Sequence, residues 1–233
     1  MNSTPFVSVL LPTRKRTAMV EKSIKSVLDL SSDPSRIQIS IAYDEDDAES
    51  IEYFNSHQWG NFISFYNATQ VSIQCPQWGY DGLHNYYNLM AEKTQGKWLL
   101  AWNDDAYMLT QDWDQQLQEV QDFQGMVHME CTTFPKLTLF PLIPRTWVDL
   151  FGCITGGPHI DSWIQEINRA SRTVKKINAL ILHDRFSETG NNNDETFKNR
   201  TWGGRSLYHA EEMKALRQNW VQQWVAHCTT YKS

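Results

Sequence analysis

Apolar and polar positions follow two rhythms along this chain. Phe6 to Leu11 is a short apolar run ending at Pro12. Thr17 to Leu30 follows with Met19, Val20, Ile24, Val27 and Leu28 on one helical face, which predicts strand, loop, helix. Ile37, Ile39, Ile41 and Tyr43 alternate through a second strand that stops in Asp44-Glu45-Asp46-Asp47, and Phe62 to Tyr66 is expected as a third. Leu83 to Thr94 is a helix with Gly96 as its C-terminal stop, and the apolar strand Lys97 to Trp102 runs directly into Asn103-Asp104-Asp105. The βαβ order predicts a parallel sheet with acidic groups at the carboxyl ends of two strands. Open α/β sheets bind ligands beyond those ends, so the loops at 12–16, 44–47 and 103–105 form the expected site.

The second half changes character. A helix is expected over Asp112 to Phe123, strands over Met126 to Glu130 and Lys136 to Ile143, helices over Arg145 to Phe151 and Ile160 to Ser171, and a last buried strand over Ile177 to Leu182. Ser187 to Asn193 is polar and Asn-rich, and the stretch on to Arg205 reads as a mobile loop before a final amphipathic helix carrying Leu216, Trp220 and Trp224. No internal repeat or interdomain linker is visible, so residues 1–233 are expected to form a single domain.

Composition narrows the function. The 233 residues carry 21 Lys+Arg against 27 Asp+Glu, a net charge of −6, which argues against a nucleic-acid-binding module. No predominantly apolar run reaches the ~20 residues a membrane span needs, and the N-terminal stretch alternates like a strand rather than a signal peptide, so the expected compartment is the cytoplasm. The spacing of Cys75, Cys131, Cys153 and Cys228 matches no zinc or redox-pair pattern, and they read as reduced core residues. The 10 Trp, 9 Tyr and 10 Phe exceed what a minimal core requires, so some can line a sugar or base pocket.

Trp98 to Asp105 delivers adjacent carboxylates from an apolar strand into a loop. Mg²⁺ and Mn²⁺ take oxygen ligands, typically one or two carboxylates plus substrate phosphate oxygens, so this arrangement suits a metal-bound nucleoside diphosphate. Asn-Asp-Asp equally suits a turn or a helix cap, and spacing alone leaves the two readings level.

Val7-Ser8-Val9-Leu10-Leu11-Pro12-Thr13-Arg14, a second strand closing at Asp44, Gly82 to Asn88, and Gly96 followed by Asn103-Asp104-Asp105 recur in order and approximate spacing in the GT-A glycosyltransferases of the large inverting family two. The chain resembles that family over roughly residues 5 to 110. The resemblance implies an α/β GT-A fold, with a mixed, mostly parallel central sheet flanked by helices, and a nucleotide-sugar-binding half (about 1–110) beside an acceptor-binding half (about 111–233). It implies that Pro12, Thr13 and Arg14 hold the nucleoside and that Asp44 accepts from the ring N–H of the base, commonly uracil. Asn88 matches an Asn of the family's donor site, although the residue before it is Tyr87 where the family often has Arg. Asn103 and Asp105 take the outer positions of the Asp-x-Asp motif, with Asp104 between them, and Asp105 is the implied metal ligand. His183 matches a third metal ligand.

An inverting transfer needs one carboxylate beside the acceptor hydroxyl. Within Gly156-Gly157-Pro158-His159-Ile160-Asp161-Ser162-Trp163 the resemblance makes Asp161 the general base, while an acid in a helix's first turn also simply offsets the macrodipole. Asp149 is the runner-up. Lys198, Arg200 and Arg205 around Trp202-Gly203-Gly204 either close over the diphosphate or form a plain surface loop. Arg14-Lys15-Arg16 reads as solvated apart from Arg14, and His84 and His159 have no partner legible in the sequence. The resulting expectation is a hexosyltransferase using Mn²⁺ or Mg²⁺ and a nucleotide sugar, most simply a UDP sugar, with a hydroxyl acceptor. A binding protein without turnover on the same fold and a sugar nucleotidyltransferase are the rivals. The latter lacks its Gly-rich phosphate loop here.

Overall fold

The computed structural model describes residues 4–185, 189–191 and 204–230. Within them, one eight-stranded sheet combines β1 (Val7–Thr13), β2 (Ile37–Asp44), β3 (Thr69–Cys75), β4 (Trp98–Ala101), β5 (Ala106–Met108), β6 (Met126–Cys131), β7 (Leu142–Pro144) and β8 (Val174–His183) in the order β3-β2-β1-β4-β7-β6-β8-β5. β1 to β4 are mutually parallel, β7 and β5 run the opposite way, and β6 and β8 are parallel to each other. The carboxyl ends of β1, β2, β3, β4, β6 and β8 therefore share one edge. The order reverses between β1 and β4, so the loops leaving these two strands diverge and open a crevice.

Alternation along β1 explains the two layers. Val7, Val9 and Leu11 face α1 (Thr17–Asp29), α2 (Ala48–Phe54) and α3 (His57–Phe65), while Leu10 faces α4 (Leu83–Lys93), α6 (Arg145–Phe151), α7 (Ile160–Ala170) and α9 (Glu211–Thr230). β1 and β2 are apolar and buried almost throughout because helices cover both faces. The expected helix at 112–123 is shorter, α5 (Trp113–Gln118), and α8 (Gly204–Tyr208) precedes α9. Much of the aromatic content is core: Trp147, Trp163, Trp220 and Trp224 pack together, with Phe151 stacked on Trp220 at 4.1 Å between centroids.

Several expected elements differ. Phe62 to Tyr66 is not a strand but the end of α3, because Ser56 accepts from the Trp59 backbone N–H and Trp59 and Ile63, four apart, share the buried face. The third strand lies later, where Val71, Ile73 and Cys75 alternate with exposed Gln70, Ser72 and Gln74. Lys136 to Ile143 yields only the short β7. The Gln165 amide satisfies both the N–H and the C=O of Thr138, and so takes the place a neighbouring strand would fill. β8 is the last strand along the described chain, as expected, but it is not wholly buried: it alternates, and the three-residue β5 pairs outside it at the sheet edge.

Gly96 does not stop α4 in a left-handed turn. The helix closes at Thr94, whose hydroxyl donates to the Met90 carbonyl at 2.8 Å. Gly96 is required by close approach, since a Cβ there would lie 2.4 Å from the Ser8 backbone nitrogen. Among the described residues no helix is long and apolar enough to cross a membrane. Lys198, Arg200, Trp202 and Gly203, and most of the stretch expected as a mobile loop, lie outside the described residues.

Candidate active site at the carboxyl edge of the sheet

The loop after β1 and the loop after β4 are tied together by Asp104, which is buried. Thr13 donates its hydroxyl to Asp104 Oδ2 at 3.0 Å, and the Arg16 guanidinium pairs with Oδ1 at 2.9 Å. Burial and the charge of Asp105 push the Asp104 carboxyl up, with Arg16 and Thr13 pulling it back. Arg16, expected to be solvated, is thus a buried partner of the acidic triplet.

Asp44 ends β2 with both oxygens engaged. Arg14 donates to Oδ2 at 2.7 Å and the Tyr86 hydroxyl donates to Oδ1, while the same hydroxyl accepts from the Trp78 and Gly79 backbone N–H groups. Arg14 also reaches Asp46. This network fixes the 76–82 loop against β2. Asp47 accepts from the Lys15 backbone and caps α2 through Ser50. Pro12 lies within β1 opposite Ala42 and is half-buried.

Tyr87, in α4, is buried against the loop after β4. Its buried hydroxyl donates to the Trp102 carbonyl at 2.7 Å and lies 3.0 Å from Asn103 Oδ1. Burial first, then the charges of Asp104, Asp105 and Asp161, hold its pKa well above that of a free phenol. Asn88, one residue on, does not point to them: its Oδ1 accepts from the Ile154 and Thr155 N–H groups and its Nδ2 donates to the Thr155 carbonyl. It stitches α4 to the segment leading into Gly156-Gly157.

Asp161 is the second residue of α7, whose N-cap His159 is left-handed (φ 59°). Burial raises the Asp161 carboxyl above the ordinary carboxylate range, against the Ser162 backbone N–H and the nearby His159 and Arg185. Asp149 belongs to α6. His159 packs its ring on Tyr208, and His84, early in α4, is held low by burial.

His183 ends β8 directly opposite Ala106, so its ring meets Asp105: Nε2 lies 3.2 Å from Oδ1. Burial alone would lower the His183 pKa, but the neighbouring Asp105 carboxylate and Cys131 raise it from 6.5 to about 9. Among the described residues no group of three His, Cys, Asp or Glu is placed to hold a metal unaided. Asp105 and His183 supply one oxygen and one nitrogen ligand, a donor set that Mn²⁺ or Mg²⁺ completes with phosphate oxygens and water.

Comparison with known proteins gives no match to any family model and none to a curated sequence. Solved structures do match. The mannosyltransferase PcManGT from Pyrobaculum calidifontis, in complex with GDP-Man and Mn²⁺, superposes with a TM-score of 0.57 at 11% identity over 99% of this chain and 89% of its own. The chain has the GT-A glycosyltransferase fold. S. aureus TarS 1-349 in complex with UDP-GlcNAc is similar over 97% of this chain and 72% of its own (TM-score 0.56, 9% identity). GalNAc-T7 with UDP, GalNAc and Mn²⁺ is similar over 78% and 44% (TM-score 0.58, 10% identity).

Arg16, Tyr86 and Arg185 were missed as site residues. The signal for Arg16 was its position after β1, the same loop as Arg14. Nothing in the local pattern distinguishes Tyr86, a phenol on the buried face of a helix, from core.

Proposed function

We propose that this protein is a metal-dependent glycosyltransferase that moves a hexose from a nucleoside diphosphate sugar, a UDP sugar, to a hydroxyl acceptor with inversion. The observation that carries the reading is the pairing of Asp105 with His183 at 3.2 Å, beside the ties of Asp104 that join the loops after β1 and β4. Solved structures of the same fold hold GDP-Man, UDP or UDP-GlcNAc, two of them with Mn²⁺, which supports the donor class.

Residues 1–110 hold the donor in this scheme. Arg14, Thr13 and Pro12 line the nucleoside side and Asn103 borders the diphosphate, while Asp44 and Asp104 hold Arg14 and Arg16 in place. Asp105 and His183 hold Mn²⁺ or Mg²⁺, which when bound offsets the charge developing on the leaving diphosphate. Asp161, its pKa raised by burial, takes the acceptor hydroxyl proton as that oxygen bonds to the anomeric carbon. The bond from that carbon to the diphosphate oxygen breaks, and the nucleoside diphosphate leaves with its electron pair. Attack from the face opposite the leaving group inverts the anomeric centre.

The test is calorimetric titration with UDP and GDP, each with Mn²⁺ or chelator, on the wild type and Asp105→Ala, followed by donor turnover with Asp161→Asn. Metal-dependent nucleotide binding lost in Asp105→Ala, with turnover but not binding lost in Asp161→Asn, is the expected pattern. Absence of nucleoside diphosphate binding under every metal condition overturns the reading. A binding protein without turnover, favoured by Asn103 in place of a carboxylate, predicts that Asp161→Asn changes nothing.

A further inference from the structure

Cys131 is the last residue of β6, fully buried, and the β6–β8 register sets it opposite Ile181. Side chains alternate along a strand, so His183, two residues beyond Ile181, lies on the same face as the Cys131 thiol. The strand ends are held in that register by the Thr132 N–H on the Ile181 carbonyl (2.9 Å) and the Thr133 hydroxyl on the His183 carbonyl (3.3 Å). Phe140 packs edge-on against the imidazole at 5.1 Å and closes that side. His183 is 6% exposed. Its Nε2 faces Asp105, and its Nδ1 is buried with no partner in hydrogen-bond geometry.

A buried imidazole nitrogen left without a partner is costly, and the polar group that the sheet brings to its face is a thiol. The terminal ring torsion of histidine is broad, so a modest turn of the ring suffices to bring Nδ1–H onto sulfur. We infer that Cys131 is a positioning residue: its sulfur accepts from His183 Nδ1–H and so fixes the tautomer that presents Nε2, together with Asp105, to a divalent cation. Outer partners of this kind set ring orientation and ligand basicity at metal sites, and their loss typically lowers metal affinity 10- to 100-fold. The inference rests on the metal-dependent reading above and adds a residue outside the acidic triplet to it.

The experiment compares wild type, Cys131→Val and Cys131→Ser by Mn²⁺ titration in saturating UDP or GDP, with free Mn²⁺ followed by electron paramagnetic resonance and thermal midpoints recorded alongside. Val preserves the apolar volume and removes the acceptor, whereas Ser keeps an acceptor. The expected result is about tenfold weaker Mn²⁺ binding in Cys131→Val, binding within about threefold of wild type in Cys131→Ser, and ¹⁵N spectra of wild type with Mg²⁺ and nucleotide showing His183 protonated at Nδ1. Wild-type affinity in Cys131→Val, equal weakening in Val and Ser, or an Nδ1 without a proton overturns the positioning role and leaves the metal site standing. Wild-type protein that binds no Mn²⁺ overturns both this role and the metal-dependent reading. If neither variant folds, the ¹⁵N tautomer of the wild type alone decides.

Discussion

Arg16 Nη1 lies 2.9 Å from Asp104 Oδ1, with the two side chains only 10% and 9% exposed. The pair joins the loop after β1 to the loop after β4 at the point where the strand order reverses, so it braces the mouth of the crevice. Asp104 is therefore spent on architecture, and Asp105 is left as the carboxylate of the triplet that faces His183.

Arg16→Met is expected to cost about 3 kcal/mol, because removing one member of a buried pair strands the other charge. The loss depends on pH. Burial already raises the Asp104 pKa, and without Arg16 it rises further. A carboxyl raised in the folded state contributes stability that is present below its ordinary range near 4 and lost as pH rises through the raised value. The deficit against wild type should grow between pH 4.5 and 7.5 in urea denaturation. A deficit that stays constant across that range would show that no uncompensated Asp104 charge is involved.

His183 predicts an opposite competition for protons and metal. Its pKa is raised to about 9, so its pairing with Asp105 stabilises the metal-free fold fully below pH 6.5 and is lost as pH climbs through 9. Up to about 3 kcal/mol is at stake. The same proton must leave before Nε2 can take a cation, so Mn²⁺ affinity should rise over the interval in which metal-free stability falls. Paired thermal melts and Mn²⁺ titrations at pH 6.5, 7.5 and 8.5 test this, with His183→Gln expected to flatten both trends. Parallel rather than opposed trends would refute it.

Gly96→Ala is expected to destabilise by about 3 kcal/mol, near the top of the range for overpacking. The added Cβ would sit 2.4 Å from the Ser8 nitrogen and 2.5 Å from its hydroxyl, and Ser8 belongs to the central strand. The Gly96 N–H bond to Ser8 Oγ (2.8 Å) would also be strained. A shift of the thermal midpoint by less than about 2 °C would mean that the connection between α4 and β4 yields more than its packing suggests.

The strands that build the crevice were legible because they are buried on both faces, and two of them, β2 and β4, run into acids. β1 and β4 read directly as the apolar runs Phe6–Leu11, ending at Pro12, and Lys97–Trp102, and β2 as the alternation of Ile37, Ile39, Ile41 and Tyr43 closing at Asp44. β5 was illegible, since three residues directly after an acidic triplet carry no period, and its place is fixed by pairing with β8. The α3 region failed for a different reason: Phe62 to Tyr66 is aromatic enough to suggest a strand, but Ser56 and the Trp59–Ile63 spacing commit it to a helix. Site residues split along the same line. Asp44, Asp104, Asp105 and His183 stand out at strand ends, whereas the ties that hold two of them, Tyr86 on Asp44 and Arg16 on Asp104, depend on tertiary contacts that no local pattern encodes. Asn88 was noticed through the resemblance and proves to be bonded to backbone rather than directed at the carboxylates.

Asn88 gives the sharpest separation of positioning from ligand contact. Its amide accepts two backbone N–H groups, from Ile154 and Thr155, and donates to the Thr155 carbonyl, which leads through Gly156 and Gly157 to Asp161. Asn88→Ala leaves those groups unpaired in a half-buried setting and is expected to cost about 2 kcal/mol of stability. Displacement of Asp161 by a fraction of an ångström should lower kcat by about tenfold, since proton transfer depends on hydrogen-bond reach. The Kd for UDP with Mn²⁺ should stay within about twofold, because the ties of Arg14, Arg16, Asp105 and His183 do not involve Asn88. If Asn88 instead touches the donor, the nucleotide Kd rises while the thermal midpoint and kcat hold. Calorimetry, melting and turnover on this one variant therefore distinguish a stitched loop from a direct contact.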